Sequence, residues 1–327
     1  MSFGRCFRLF AVLLASLLCA TCGKKDPEPG TVQDEALRAG RQADSFAAAD
    51  EDYFKDMDGG VALNTNEIKG RNNWIVWTGG NDRFWDHLVG ESFGAVDFLK
   101  ILSSHPGDKT KHLSRDTRWK YLGLVNEPCF EKPQGPRSDR FGLWLDNRSK
   151  DCPPDPFENE TKYAGVQIGA RGKNNLPVGS YYGYASGVVG LRLFPNPAFD
   201  EAAQKKWDPE RFYTDPDYYR DKNLVRPYRV GMSCGFCHVG PSPVKPPADP
   251  ENPKWENLNS NPGAQYFWVD RILFWENDRQ NFVYQLLHTS LPGTLDTSFI
   301  STDYINNPRT MNAVYSVLAR LKAAERW

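Results

Sequence analysis

Five consecutive residues carry the clearest chemistry in the chain: Cys234-Gly235-Phe236-Cys237-His238. The pattern C-x-x-C-H is the attachment signature of a c-type haem. Two thiols one helical turn apart can each add to a vinyl group of the same porphyrin. A histidine directly after the second thiol can donate an imidazole nitrogen to the iron. Cys234 and Cys237 are therefore the expected thioether residues and His238 the expected axial ligand, for one haem c. Two other uses of C-x-x-C compete. A zinc site needs two further Cys or His ligands nearby, yet the next histidine downstream is His288 and no cysteine follows Cys237. A thioredoxin-like pair needs a βαβ setting, whereas the flank after His238 is proline-rich.

A second axial ligand has two downstream candidates, Met311 and His288. Met311 lies on an apolar helical stripe, where core packing is the better-supported use of it. His288 ends an amphipathic stretch and could as well cap it. His87, His105 and His112 read as ordinary surface or core histidines.

Haem attachment of this kind takes place outside the cytoplasm, and the start of the chain agrees. Arg5 and Arg8 form a basic lead, and the twelve residues Leu9 to Ala20 are an apolar run. Such a run is too short for a membrane span and suits a secretory leader. Cleavage after Ala20 would release a periplasmic or otherwise exported protein. Cleavage before Cys22 would leave a lipid anchor there, although Cys19-Ala20-Thr21 is a poor match to a lipoprotein signal. Three of the seven cysteines (Cys6, Cys19 and Cys22) thus belong to the leader or its end. Cys129 and Cys152 are left over, and in an oxidising compartment they are expected to pair. Two free thiols are the alternative.

The net charge of −1 and the lack of a basic patch exclude nucleic acid as the expected partner. Redox proteins of the periplasm are the partners that a haem protein implies. With 27 glycines and 24 prolines, loops are abundant.

The elements that would position the motif read as follows. Residues 23–50 form a flexible linker after a leader over 1–22. Trp74-Ile75-Val76-Trp77 is strand-like, and Phe93 to Leu102 has helical spacing. Phe141 to Leu145, Val166 to Ile168 and Tyr181 to Phe194 read as short strands. The glycines of the last run imply bulges or close backbone approach, either within a packed ribbon or against a porphyrin edge. Short helices and loops over Pro195 to Arg229 lead to a haem helix over Val230 to His238. The prolines after His238 favour an extended, polyproline-like course, from which a carbonyl could accept the His238 Nδ1 proton. Apolar helices are expected over Gly263 to Trp275, after Asp278, and from Asn307-Pro308 onward. The fold class expected is mixed: mainly α around the haem, in the manner of cytochrome c, over 230–327. Before it comes an irregular, loop-rich region over 51–229 containing short β-strands.

The stretch Asn306-Asn307-Pro308-Arg309-Thr310-Met311-Asn312-Ala313-Val314-Tyr315 resembles a segment that follows the C-x-x-C-H in the bacterial di-haem cytochrome c peroxidase superfamily. That superfamily includes methylamine-utilisation-type enzymes and rubber oxygenases. Tyr182-Gly183-Tyr184 and Ser186-Gly187-Val188-Val189-Gly190-Leu191-Arg192 are similar to the rubber-oxygenase branch. The likeness runs from about Tyr181 onward. It implies haem-dependent redox chemistry, but the family carries two C-x-x-C-H sites and this chain has one. A one-haem relative or a truncated product would both account for that. One haem without an internal relay favours electron transfer. The alternative is a peroxidase- or oxygenase-like enzyme, or a fragment of one, acting on peroxide or dioxygen.

Overall fold

The computed structural model describes residues 34–92, 96–108, 112–262, 266–268, 271, 272 and 280. The chain divides into two compact units, 1–35 and 36–327. Only residues 34 and 35 of the first are described, and the fold below is that of the second. The leader, Cys6, Cys19, Cys22, His288, Met311, the expected helices after Asp278 and Asn307, and the Asn306–Tyr315 segment lie outside the described residues.

The described residues form a mixed fold and show no helical cytochrome domain. Among the described residues, nine helices are interleaved with three small antiparallel sheets. The helices are α1 (Glu35–Arg38), α2 (Thr65–Val76), α3 (Asp82–Glu91), α4 (Phe98–Ile101), α5 (Arg118–Leu122), α6 (Glu201–Lys206), α7 (Pro209–Thr214), α8 (Pro216–Tyr219) and α9 (Cys234–His238). The strands are β1 (Phe130–Glu131), β2 (Asn147–Arg148), β3 (Tyr184–Ala185), β4 (Leu191–Pro195), β5 (Tyr228–Met232), β6 (Val239–Pro241) and β7 (Leu258–Ser260). The expected haem helix over 230–238 shrinks to α9, because Tyr228–Met232 pairs with β4 instead, Leu191 opposite Met232 and Pro195 opposite Tyr228. Every residue of β4 is buried: Leu191, Leu193 and Phe194 suit a strand covered on both faces, and the buried Arg192 is paired with Asp155. Strand β5 also runs through the expected boundary between residues 229 and 230.

Trp74-Ile75-Val76 ends a helix rather than forming a strand. A capping box starts that helix: Asn64 Oδ1 accepts from the Asn66 and Glu67 amides (3.0 and 3.2 Å), and Glu67 Oε2 accepts from the Asn64 amide at 2.8 Å. The cap and the buried Ile75 and Val76 outweigh the strand preference of the aromatic and β-branched run. The expected helix over Phe93 to Leu102 is limited to α4, with residues 93–95 outside the described set. The Phe141–Leu145 strand is reduced to the isolated bridges Arg137–Leu143 and Ser103–Leu145. Val166 to Ile168 is irregular. Tyr181 to Phe194 splits into β3 and β4 around Gly187 and Gly190, whose φ values of +87° and +79° turn the chain. The first of the prolines after His238 is in a strand: β6 bonds to β7, with Val239 opposite Ser260 and Pro241 opposite Leu258.

The end of the expected linker is docked. Asn72 Nδ2 donates to Ala49 O (3.1 Å) and Glu51 O (2.7 Å), and Ala49 is buried. Cys129 and Cys152 are joined by a disulfide, with Cα atoms 5.7 Å apart.

Two apolar clusters dominate the interior. One includes Leu99, Leu102, Leu122, Leu143, Leu191, Leu193, Val230, Phe236 and Cys237. The other includes Phe54, Met57, Ile75, Phe157, Tyr163, Tyr182, Val239 and Leu258. The C-x-x-C-H turn lies where they meet.

Candidate functional site

The site begins with a short helix held between two backbones. Strand β5 ends at Met232, and Asn81 Nδ2 and Oδ1 bond the Met232 carbonyl (2.7 Å) and amide (2.9 Å) as a neighbouring strand would. Ser233 then turns the chain: its amide donates to Gly190 O at 2.8 Å, and its hydroxyl donates to Ile75 O at the end of α2. One helical turn follows over Cys234–His238. Gly190 lies directly against it, and a Cβ at that position would meet Phe236 N at 2.0 Å. The close approach expected from the glycines of 181–194 is therefore to the backbone of α9. On the opposite flank, a Cβ on Gly235 would stand 3.2 Å from Ile75 Cα.

On this turn Cys234, Cys237 and His238 are spaced i, i+3 and i+4, so their side chains leave along one flank of the helix. Cys234 is half-buried, whereas Cys237 is 0% and His238 3% exposed. Phe236 packs edge-on to Phe98 (5.8 Å between centroids) and against Phe267 (5.3 Å). The Asn261 amide donates to His238 O at 2.8 Å, and Asn261 Nδ2 to Tyr266 Oη at 2.8 Å. The Tyr266 ring covers Gly240, where a Cβ would meet it at 2.3 Å. The Trp74 indole lies 6.3 Å from the His238 ring, centroid to centroid, with the planes 30° apart.

The three uses of C-x-x-C can now be weighed on geometry. Burial pushes the Cys234 thiol up from its ordinary value. A dithiol redox centre needs the reverse, a thiolate favoured at neutral pH. For zinc, no group of three His, Cys, Asp or Glu side chains is placed to hold a metal ion among the described residues. For haem, the donor set fits: two thiols in one turn with an imidazole beside the second.

Two of the other histidines are held by aromatic neighbours away from this turn. His105 stacks on Tyr213 at 4.4 Å, with Nε2 3.3 Å from Glu210 Oε2, and His112 stacks on Tyr121 at 4.2 Å. Of the residues that frame the turn, Trp74, Asn81 and Ser233 carry no functional expectation from the sequence. Only the glycines of the 181–194 run signalled any of it. A search of family models, of curated proteins and of solved structures finds no match to this chain.

Proposed function

We propose that this chain is an exported c-type cytochrome that binds one haem covalently and passes single electrons between periplasmic redox partners. The observation that carries this reading is the helical turn Cys234–His238, with both thiols and the imidazole on one flank. In the attachment, each S–H bond breaks and an S–C bond forms at a vinyl carbon, the hydrogen going to the neighbouring vinyl carbon. Cys234 and Cys237 would hold the group in this way, and His238 would donate a ring nitrogen to it. When bound, the haem supplies a one-electron iron couple. Phe98 and Phe267 pack on Phe236 of the same turn, and such apolar surroundings favour a raised reduction potential. The similarity of the 181–192 and 306–315 stretches to the di-haem peroxidase superfamily supports haem-dependent redox chemistry. Among the described residues no helix is long and apolar enough to cross a membrane.

Denaturation and acid–acetone extraction test the attachment. Haem should stay on the polypeptide of the wild type and be lost from the Cys234→Ala, Cys237→Ala double variant. Haem that extracts freely from the wild type refutes the reading. Steady-state assays with peroxide and a reduced donor test the electron-carrier half, and rapid turnover would replace it with an enzyme.

A further inference from the structure

The backbone contacts that clamp α9 also bring an aromatic ring to the imidazole. Helix α2 touches the turn directly: Ser233 Oγ donates to Ile75 O, and Gly235 sits against Ile75 Cα. The residue before Ile75 is Trp74. Its position is fixed by the same contact and by the neighbouring Asn73, whose Oδ1 accepts from Tyr182 Oη at 3.0 Å. At this end of α2 the core is filled by Ile75 and Val76, 2% and 3% exposed, while Trp74 is only half-buried. Its indole packs against the edge of the second apolar cluster. It also meets the His238 ring, at 6.3 Å and 30°, within the range over which aromatic rings attract one another. The His238 main chain is already held by the Asn261 amide. The Trp74 indole lies beside the ring and restricts its rotation about the side-chain bonds.

We propose that Trp74 is a positioning residue for His238, holding the imidazole in the orientation from which a ring nitrogen reaches the iron. The inference rests on the haem reading above, and the experiment separates the two. Wild type, Trp74→Phe and Trp74→Ala are produced with the haem-attachment machinery, and covalent haem is measured by mass spectrometry. The orientation of the axial ligand is then read by electron paramagnetic resonance and by circular dichroism of the haem band. All three proteins should carry haem. Trp74→Ala should shift and broaden the low-field resonance and lose haem-band dichroism, and Trp74→Phe should stay close to the wild type. Trp77→Phe, at the exposed position just after the same helix, is the control and should change nothing. If Trp74→Ala fails to fold, Trp74→Leu fills the space without a π face and is read in the same way. Attached haem with wild-type spectra in Trp74→Ala or Trp74→Leu overturns the role of Trp74 and leaves the haem reading standing. A wild type without covalent haem overturns both.

Discussion

Two thiols that look equivalent in C-x-x-C-H are separated by burial. Cys234 is half-buried and Cys237 is fully covered, so the two should differ in reactivity before any haem is bound. In the folded apoprotein, an alkylating reagent is expected to modify Cys234 first and Cys237 only once the chain unfolds. Peptide mapping after timed labelling would show this order; equal labelling rates would mean that the cover over Cys237 opens freely. A second residue-scale effect lies away from the motif. Glu127 is 5% exposed, and burial pushes its carboxyl up to about 8 against the pull of Arg148 and Arg192. The folded chain keeps this proton from about pH 4.5 to about pH 8, whereas the unfolded chain releases it. The stability that Glu127 contributes is therefore greatest at low pH. It is lost as pH rises through that window, by at most about 1.4 kcal/mol per pH unit. Urea midpoints at pH 5, 6.5 and 8 should decline in the wild type and flatten in Glu127→Gln. A decline of the same slope in the variant would assign it to other groups.

At the scale of the element, the turn depends on glycine where no other residue fits. Gly190 has φ of +79°, and a Cβ would approach Phe236 N to 2.0 Å. Gly190→Ala combines a left-handed backbone with a backbone clash, and the loss expected is about 2–4 kcal/mol. Chemical denaturation measures it, and a loss under about 1 kcal/mol would show that α9 can move away from the 187–190 turn at little cost. The same elements show what could be read from the sequence. The C-x-x-C-H spacing is local chemistry, and the helical turn it requires is present. The Cys129–Cys152 pair was the remainder after the other cysteines had been assigned, and the bond is there. Helices α6 to α8 follow aspartates at their N-caps, two of them with proline at the first helical position, and that signal is local as well. The strand Tyr228–Met232 was missed because its identity is set by β4, some thirty-five residues earlier, and by nothing in its own spacing. Trp74-Ile75-Val76 was misread for the complementary reason. The local preference is for a strand, and the capping box that decides otherwise begins ten residues before Trp74.

The molecule as a whole is tied by buried charge as much as by apolar clusters. Asp146 Oδ2 accepts from Arg115 Nη1 at 2.8 Å and Arg118 Nη1 at 2.9 Å, and all three side chains are at most 4% exposed. Arg118 Nη2 continues to Leu102 O, and Arg115 Nη2 to Glu127 O. Asn126 Nδ2 joins Arg115 O and Glu251 O. One carboxylate thus draws together stretches from residue 102 to residue 251. It sits inside the loop closed by Cys129–Cys152, and a Cβ on Gly187 would strike its oxygen at 2.5 Å, so it has little room to move. The loop is about the length for which disulfide closure stabilises a fold by about 3 kcal/mol. Reducing the disulfide should therefore lower stability by that order without undoing the arginine pairs. Removing the carboxylate is different, because it leaves two guanidinium groups buried and uncompensated. Asp146→Ala should cost about 3–5 kcal/mol and leave little folded protein at 37 °C. Asp146→Asn keeps one acceptor oxygen and should cost less. Because the pairs are out of solvent, salt should not rescue or weaken them appreciably. Calorimetry of the reduced wild type, Asp146→Asn and Asp146→Ala at low and high salt would order the three. An Asp146→Ala variant as stable as the reduced wild type would show that the arginines find other partners, and the network would then not be what joins these segments.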